Sequence, residues 1–595
     1  MFTFDILIVS LVLVFIIVSL YTNLVGPAFT FLIGVIVLGL FGILTPREIL
    51  SGAANDQVAV IILLLLLGDT IRKTDLLDSM FDRVFRQTSS YRKFMVKMMF
   101  MVAGLSAFLN NTPLVAIMMP YVNNWSKKNN IKPSKLLIPL SYAAILGGCA
   151  TLIGTSTNLI VNGMVTDELI IEGLEPLGLF EFTVVGLPMI LLGSLYILIF
   201  GNKLLPDKQD VVSDFAVKPR EYLVEARVRP KSKIIGKTIE QAGLRNLPGL
   251  YLVEITREER LLTAVSPYEI LKEGDVLTFA GETETIAEMI NSDTGLVISQ
   301  VGMFSKKRHT EVVEVVISHN STLISKTVRQ AGFRGKYDAA ILAIHRNGER
   351  ITGKIGDVKL RAGDVLLLLV GDDFGKRSID TQDFYLLNRI REFRKLPLYK
   401  SIALFGGAAL AILLAGLGVV SLFMSLMVLM ILIQILKIAN PKDIPKSIDY
   451  NLALIIILSL ALGTALIKTG MAEIIARFFI KALKPFGAYG LLAGIFLITN
   501  LLGSYITNKA AAAIMFPISV TAAIDLALPT TPFILIVAFG AAANFITPIG
   551  YQTNLMVYGP GGYNFKDYMR IGLPLTVIYL VTSVFLMGWW YELPL

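Results

Sequence analysis

Four clusters of amide and hydroxyl side chains interrupt segments that are otherwise apolar: Asn110-Asn111-Thr112, Ser156-Thr157-Asn158, Thr507-Asn508-Lys509 and Gln552-Thr553-Asn554. Such groups donate and accept hydrogen bonds. Away from water they can form a cradle for a polar solute. Gly154 and Gly550 stand beside two of the clusters and permit a break in a helix. A helix restarting after such a break turns unpaired N–H groups and the positive end of its dipole inward, which suits an anion. The carbonyls released at the break suit Na⁺. An isolated Asn or Thr in a membrane bundle is usually interhelical glue, but the placement of these four argues for a binding site.

That placement is a duplication. Ile153 to Gly163, Ile-Gly-Thr-Ser-Thr-Asn-Leu-Ile-Val-Asn-Gly, reappears at Ile549 to Gly559 as Ile-Gly-Tyr-Gln-Thr-Asn-Leu-Met-Val-Tyr-Gly. Asn111, within Asn-Asn-Thr-Pro-Leu-Val-Ala-Ile-Met-Met-Pro120, matches Asn508, within Thr-Asn-Lys-Ala-Ala-Ala-Ala-Ile-Met-Phe-Pro517. The first pair of segments is separated by 396 residues and the second by 397. Polar interruptions at equivalent places in two apolar halves are expected of a transporter whose site lies at a repeat interface near the bilayer midplane.

The elements that would position these residues are membrane helices. In a chain of 595 residues, 54% hydrophobic content and a mean hydropathy of +0.67 exclude an ordinary soluble domain. Apolar stretches near 4–21, 25–44, 136–162, 181–201, 401–418, 420–436, 451–467 and 571–590 are long enough to cross a hydrocarbon core of about 30 Å. The first reads as a helix that stays and not as a cleaved signal peptide. Residues 98–125 are apolar, yet Asn110-Asn111-Thr112-Pro113 interrupts them and basic clusters flank both ends. A re-entrant hairpin with its tip at that turn keeps both clusters on one side. The second copy, from about Phe486 to Leu528 with its turn at Thr507-Asn508-Lys509, should enter from the opposite side. The single cysteine, Cys149, among Gly and Ala, is expected to serve packing.

Between about Lys208 and Arg394 the composition changes to charged residues alternating with short Val/Ile/Leu runs, a soluble α+β pattern. This insert is itself doubled. Gly236 to Arg245 matches Ser325 to Arg334, and Gly274-Asp-Val-Leu277 matches Gly363-Asp-Val-Leu366, both 89 residues apart. Each copy should contain a strand (from Glu221 or Glu311), a short helix, a second strand (from Leu250 or Ala339), and a Gly-Asp turn into an apolar strand. The pattern resembles the TrkA-C (RCK-C) ligand-binding domain of potassium-conductance regulators. That resemblance implies dimerisation and, in some members, binding of a cyclic dinucleotide. No Gly-x-Gly-x-x-Gly follows a strand, so bound NAD is not expected.

Lys and Arg mark one face of the membrane part: Arg72, Lys73, Arg83, Arg86, Arg92, Lys93, Lys127, Lys128, Lys132 and Lys135. The loop from Val165 to Phe182 carries five acids and no basic residue. The basic face should be cytoplasmic. This places the insert, Lys437, Lys442, Lys446, Lys566 and Arg570 inside, and both chain ends outside. Lys468, Arg477, Lys481 and Lys484 then fall outside, which is tolerable if Ile474 to Phe486 is an amphipathic interfacial helix. His309, His319 and His345 all lie in the insert, and no acid lies at any tip. A histidine relay and a two-carboxylate cation exchanger are therefore poorly supported. No Thr-Val-Gly-Tyr-Gly filter occurs, and nothing suggests nucleic acid or an enzyme.

The paired tips and broken helices resemble the divalent anion/Na⁺ symporter family of the ion transporter superfamily, in particular its sulfate-transporter-like branch with TrkA-C domains between the halves. The family's Ser-Asn-Thr signature corresponds to Asn110-Asn111-Thr112 and Thr507-Asn508-Lys509. Its Pro-Pro-Asn signature corresponds to Ser156-Thr157-Asn158 and Gln552-Thr553-Asn554. The resemblance implies substrate binding by these twelve residues, one Na⁺ site at Asn111 and the Gly154 carbonyl, and another at Asn508 and Gly550. It also implies a homodimer in the cell membrane with elevator-type alternating access. Loss of both Pro-Pro pairs in favour of hydroxyl and amide groups suggests a small inorganic oxyanion such as sulfate. Dicarboxylate or other anion exchange, proton coupling, a ligand-gated channel and a non-transporting sensor are the alternatives. The expected fold is an α-helical polytopic membrane protein of two inverted repeats, 1–205 and 399–595, each with a re-entrant hairpin and a broken helix. Tandem cytoplasmic α+β domains, 206–300 and 301–398, lie between them.

Overall fold

The computed structural model describes residues 4–22, 24–72, 74, 76–208, 223–244, 250–258, 260–263, 265, 268–281, 296–298, 311–319, 321–346, 349–351, 355–371, 373–378, 381, 383–387, 397–439 and 449–594. Lys73, Glu221, His309, Arg394, Lys442 and Lys446, all used in the reading above, lie outside them. The first membrane half runs α1 (Phe4–Thr22), α2 (Pro27–Leu40), α3 (Pro46–Ser51), α4 (Asp56–Arg72), α5 (Leu76–Phe85), α6 (Tyr91–Ser106), α7 (Asn111–Lys128), α8 (Leu137–Gly148), α9 (Ser156–Val165) and α10 (Thr183–Leu204). After the insert, which carries α11 (Val328–Ala331), α12 (Phe333–Tyr337) and α13 (Phe374–Ser378), the second half follows. It comprises α14 (Leu398–Gly416), α15 (Leu422–Ile435), α16 (Tyr450–Lys468), α17 (Met471–Leu483), α18 (Gly487–Tyr505), α19 (Asn508–Asp525), α20 (Thr530–Ala542), α21 (Gln552–Tyr558) and α22 (Phe565–Trp590).

Among the described residues six helices are long and apolar enough to cross a membrane: α1, α10, most of α14, α16, α18 and α22. Several carry exposed apolar stripes at four-residue spacing, such as Leu187, Leu191, Leu195 and Ile199 on α10, and Val577, Val581, Phe585 and Trp589 on α22. Stripes of this kind are costly in water and ordinary where lipid is the solvent. Residues 136–162, an apolar stretch interrupted by Ser156-Thr157-Asn158, are not one span: the helix stops at Gly148 and restarts at Ser156. α17 is amphipathic and buries only Ala472 and Ala476. This is the form of an interfacial helix.

The insert folds as two five-stranded antiparallel sheets of the same order. The strands of the first are β1 (Leu223–Val228), β2 (Leu250–Arg257), β3 (Arg260–Thr263), β4 (Val276–Gly281) and β5 (Leu296–Ile298). Those of the second are β6 (Glu311–Ile317), β7 (Ala339–Arg346), β8 (Glu349–Arg350), β9 (Val365–Val370) and β10 (Phe384–Leu386). The orders are β3-β2-β4-β1-β5 and β8-β7-β9-β6-β10. Even the irregularities correspond, with a bulge between Leu252 and Glu254 in β2 and between Ile341 and Ala343 in β7. The Gly-Asp turn has a structural task in both copies. Asp275 is buried and pairs bidentately with Arg257 (2.9 and 2.8 Å) while accepting from Lys272 N–H; Asp364 does the same with Arg346 (2.8 and 2.8 Å) and Arg361 N–H.

The expected short helix forms only in the second copy among the described residues. Both copies carry the same capping box, Thr238 with Gln241 and Thr327 with Gln330. In the first, Gly243 takes φ 71° after a single turn. In the second, Gly332 at φ 58° ends α11 and α12 begins directly after it.

The second sheet also packs into the membrane part. Val316, Val365 and Leu387 belong to the same buried cluster as the transmembrane helices. A Cβ on Gly363 would lie 2.8 Å from Leu555 Cδ1 of α21, and one on Gly559 would lie 2.7 Å from the Gly363 carbonyl oxygen.

Candidate functional site

Each hairpin consists of two helices joined by a short turn, and the last residue of each turn, Asn110 or Thr507, caps the second arm. Asn110 accepts from Thr112 N–H at 3.1 Å at the start of α7, and Thr507 accepts from Ala510 N–H at 3.2 Å at the start of α19. The broken helices differ. Thr155 precedes α9 and Tyr551 precedes α21, and neither side chain caps the helix it introduces. Their first-turn N–H groups are among those that an α-helix leaves without intrahelical partners.

The breaks are built alike in both halves. Thr151 Oγ1 donates to the Ala107 carbonyl and Thr547 Oγ1 donates to the Ser504 carbonyl, tying each break to the hairpin of its own half. Asn158 Nδ2 reaches the carbonyls of Thr151 (2.9 Å) and Gly148 (3.4 Å). Asn554 Nδ2 reaches those of Thr547 (3.2 Å) and Asn544 (2.8 Å). The amide nitrogens of this matched pair thus satisfy carbonyls that lost their helical partners. Their oxygens diverge: Asn554 Oδ1 accepts from Ser141 at 2.7 Å, whereas Asn158 Oδ1 is buried without a partner. Glycine is required by close approach, because a Cβ on Gly154 would meet the Gly148 carbonyl oxygen at 2.6 Å.

The two halves interlock reciprocally: α9 packs on α19 and α21 packs on α7. Asn111, 2% exposed, donates Nδ2 to the Tyr551 hydroxyl at 2.6 Å and accepts from Ser106 at 2.5 Å. That same hydroxyl lies 3.0 Å from Thr155 Oγ1. Thr112 donates to Gln552 Oε1 at 2.9 Å, and Ser141 reaches Thr553 Oγ1 at 2.8 Å. Asn110 and Ser156 line one small cavity, and Thr157 is buried beside it on α9. Asn508 accepts from Asn544 Nδ2 at 2.5 Å; turning its amide half a turn instead brings its nitrogen 2.7 Å from the Gly550 carbonyl oxygen. The first tip, both breaks and the second tip therefore form one continuous network.

Several members were not named from sequence: Tyr551, Ser106, Ser141, Asn544, Thr151 and Thr547. Thr151 and Thr547 were findable, being 396 residues apart like the motif they precede. Asn544 was not, because its counterpart is Gly148. The space its amide fills depends on Gly503, where a Cβ would lie 2.7 Å from Asn544 Nδ2.

Lys509 is half-buried in the first turn of α19, and tertiary folding surrounds it differently from the sequence reading. Asp449, which caps α16 by accepting from Leu452 N–H at 3.0 Å, is one charged neighbour. The imidazole of His319, in the insert, lies within the electrostatic reach of Lys509. An acid and a histidine thus approach the second tip. Burial, and then the charge of Lys509, push the His319 imidazole down to about 4 against the opposing pull of Asp449. Among the described residues no cluster of three His, Cys, Asp or Glu side chains could hold a metal ion. The site offers amides, hydroxyls, carbonyls and one ammonium.

A family profile described as a citrate transporter matches residues 11–421 and 408–594. A Chlamydomonas reinhardtii protein named "Putative sulfur deprivation response regulator" is 33% identical over 557 residues, covering 91% of this chain and 94% of the relative. An uncharacterised transporter of Synechocystis is 33% identical over 559 residues, covering 91% and 90%. Sodium/sulfate cotransporter 1 of Chlamydomonas reinhardtii is 23% identical over 770 aligned positions, covering 95% and 87%.

Proposed function

As a member of the citrate transporter family, this chain is a membrane transporter and not an enzyme, and we propose that it carries a small divalent oxyanion, sulfate, across the cell membrane together with Na⁺. The observation that carries the reading is the uncapped start of α9, and of the shorter α21, beside donor side chains from the opposite half. Preorganised N–H and O–H donors in a water-poor site hold an oxyanion without needing a full countercharge. The similarity to sodium/sulfate cotransporter 1 and to the protein named for the sulfur deprivation response supports sulfate and Na⁺.

In this reading Asn110, Asn111, Thr112, Ser156, Thr157, Thr507, Asn508, Lys509, Gln552 and Thr553 face the anion in at least one state of the cycle. Asn158 and Asn554 hold the breaks in shape. One Na⁺ is carried near Asn111 and Gly154. At Asn508 and Gly550, Lys509 supplies a fixed charge in place of part of the second ion's role. The hairpin and broken helix of each repeat move as a unit against a dimer scaffold that includes α1, α2, α14 and α15. The insert is cytoplasmic and adjusts the rate.

The test is uptake of radiolabelled sulfate into proteoliposomes with and without an inward Na⁺ gradient, competed by phosphate, molybdate, thiosulfate, succinate and citrate. Saturable, Na⁺-stimulated uptake that thiosulfate or molybdate competes better than succinate is the expected result. Uptake of citrate or succinate in preference to sulfate would overturn the substrate assignment.

A further inference from the structure

Away from the network just described, a cavity of about 1290 Å³ opens between the first hairpin and the insert. One face of α7, including Pro120, Tyr121 and Asn124, forms its floor, and the segment from Ser79 to Ser89 forms a wall. Tyr385 and Leu386 of β10 reach it from the insert. The wall is held in place: Lys97 Nζ donates to the Val84 carbonyl (2.9 Å) and to Thr88 Oγ1 (3.0 Å), and Trp125 Nε1 donates to the Thr88 carbonyl (2.8 Å). Trp125 is further clamped by stacking on Phe94, with ring centroids 3.7 Å apart.

The lining is strongly basic. Among the described residues of the lining, Arg83, Arg86, Lys97 and Lys128 face a single carboxylate, Asp82. Lys97 is spent on the wall, while the other three cations extend from exposed positions. Like charges collected round a recess repel one another and focus a positive field into it. Three features together indicate what would occupy it. The volume far exceeds what a tetrahedral inorganic anion needs and leaves room for a ligand of nucleotide size. Two guanidinium groups offer bidentate donors to phosphate oxygens. Tyr121 and Tyr385, one from each side, offer aromatic surface to the rest of the molecule.

We propose that this cavity is a binding site for a phosphate ester of nucleotide size, held by Arg83, Arg86 and Lys128 and shared between the first hairpin and the insert. The site is placed to sense, because β10, which lines it, is paired with β6, whose end lies toward the second tip. Ser318 Oγ donates to the Tyr385 hydroxyl at 3.3 Å, and the next residue, His319, lies within the electrostatic reach of Lys509. An occupant touching Tyr385 and α7 holds the insert against the first hairpin.

Binding can be tested without any assumption about transport. The chain has three tryptophans, of which Trp589 and Trp590 are exposed at the far end of α22. In a Trp589→Phe/Trp590→Phe background Trp125 reports on the cavity alone. The full chain in phosphatidylcholine nanodiscs is titrated with ADP, with inorganic sulfate and with inorganic phosphate, and is separately reconstituted with added phosphatidylglycerol. The expected result is a saturable change in Trp125 emission with ADP, weakened at least tenfold by Arg83→Gln/Arg86→Gln and by Lys128→Gln but not by Lys93→Gln. A response to phosphatidylglycerol in place of ADP, with the same sensitivity to those variants, supports the site and assigns its source to lipid. No response to either, responses unaffected by Arg83→Gln/Arg86→Gln, or half-saturation by inorganic sulfate as low as that by ADP would each overturn the proposal.

Discussion

Tyr551→Phe is the most informative single change, because it removes one oxygen atom and keeps the ring. The hydroxyl accepts from Asn111 Nδ2 at 2.6 Å and lies 3.0 Å from Thr155 Oγ1, so it joins the first tip to the first break across the repeat interface. Asn111 is 2% exposed, and water cannot readily replace the lost partner. Leaving such a donor unsatisfied costs about 1 to 3 kcal/mol. If the contact exists in the rate-limiting state, sulfate uptake at low substrate should fall roughly 5- to 150-fold. A double-mutant cycle with Asn111→Ala separates this contact from general damage. Once Asn111 has no amide, removing the hydroxyl should cost less, with a coupling of about 0.5 to 3 kcal/mol. The assay is initial-rate uptake in proteoliposomes at matched protein incorporation for the wild type, both single variants and the double variant. Effects that add to within about 0.5 kcal/mol would refute the reasoning, since residues in direct contact should not behave independently.

Lys509→Asn should raise the dependence of uptake on Na⁺ or weaken anion affinity; unchanged stoichiometry, pH profile and affinity would make Lys509 a bystander. Gly154→Ala should destabilise the protein by about 1 to 3 kcal/mol through overpacking against the Gly148 backbone, seen as a lower Tm in detergent. Gly550→Ala should be milder, because its nearest neighbour is the Thr547 hydroxyl at 2.9 Å and not backbone. For His319, the unfolded chain takes up a proton below about pH 6.5, whereas the folded imidazole resists until about 4. Stability from its neutral form is therefore complete above the unfolded value and declines as the pH falls through that window. Proteolysis of the insert should be faster at about pH 5 than at pH 7, and His319→Gln should abolish the difference; equal rates in the wild type would show that the imidazole is not held neutral.

What could be read in advance was what repeats. The 396-residue spacing located both breaks, and the 89-residue spacing located two sheets whose order and bulge coincide. It could not show that Asp275 and Asp364 work through Arg257 and Arg346. These arginines are also 89 residues apart, but their pairing with the turn depends on antiparallel strands being brought side by side.

By itself the sequence determined the membrane character, the polar interruptions and the glycines that permit them, because hydropathy and backbone freedom are local properties of a residue and its neighbours. Only the tertiary structure decided which polar groups meet. Tyr551 completes the environment of Asn111 from 440 residues away, Asn544 fills a space left by Gly503, and His319 and Asp449 come to Lys509 from separate elements. The first two depend on the packing of helices that are mostly apolar, and the third also on the insert reaching the membrane part. Apolar surface drives burial without direction, so it carries no signal of which hydroxyl or amide it will bring together.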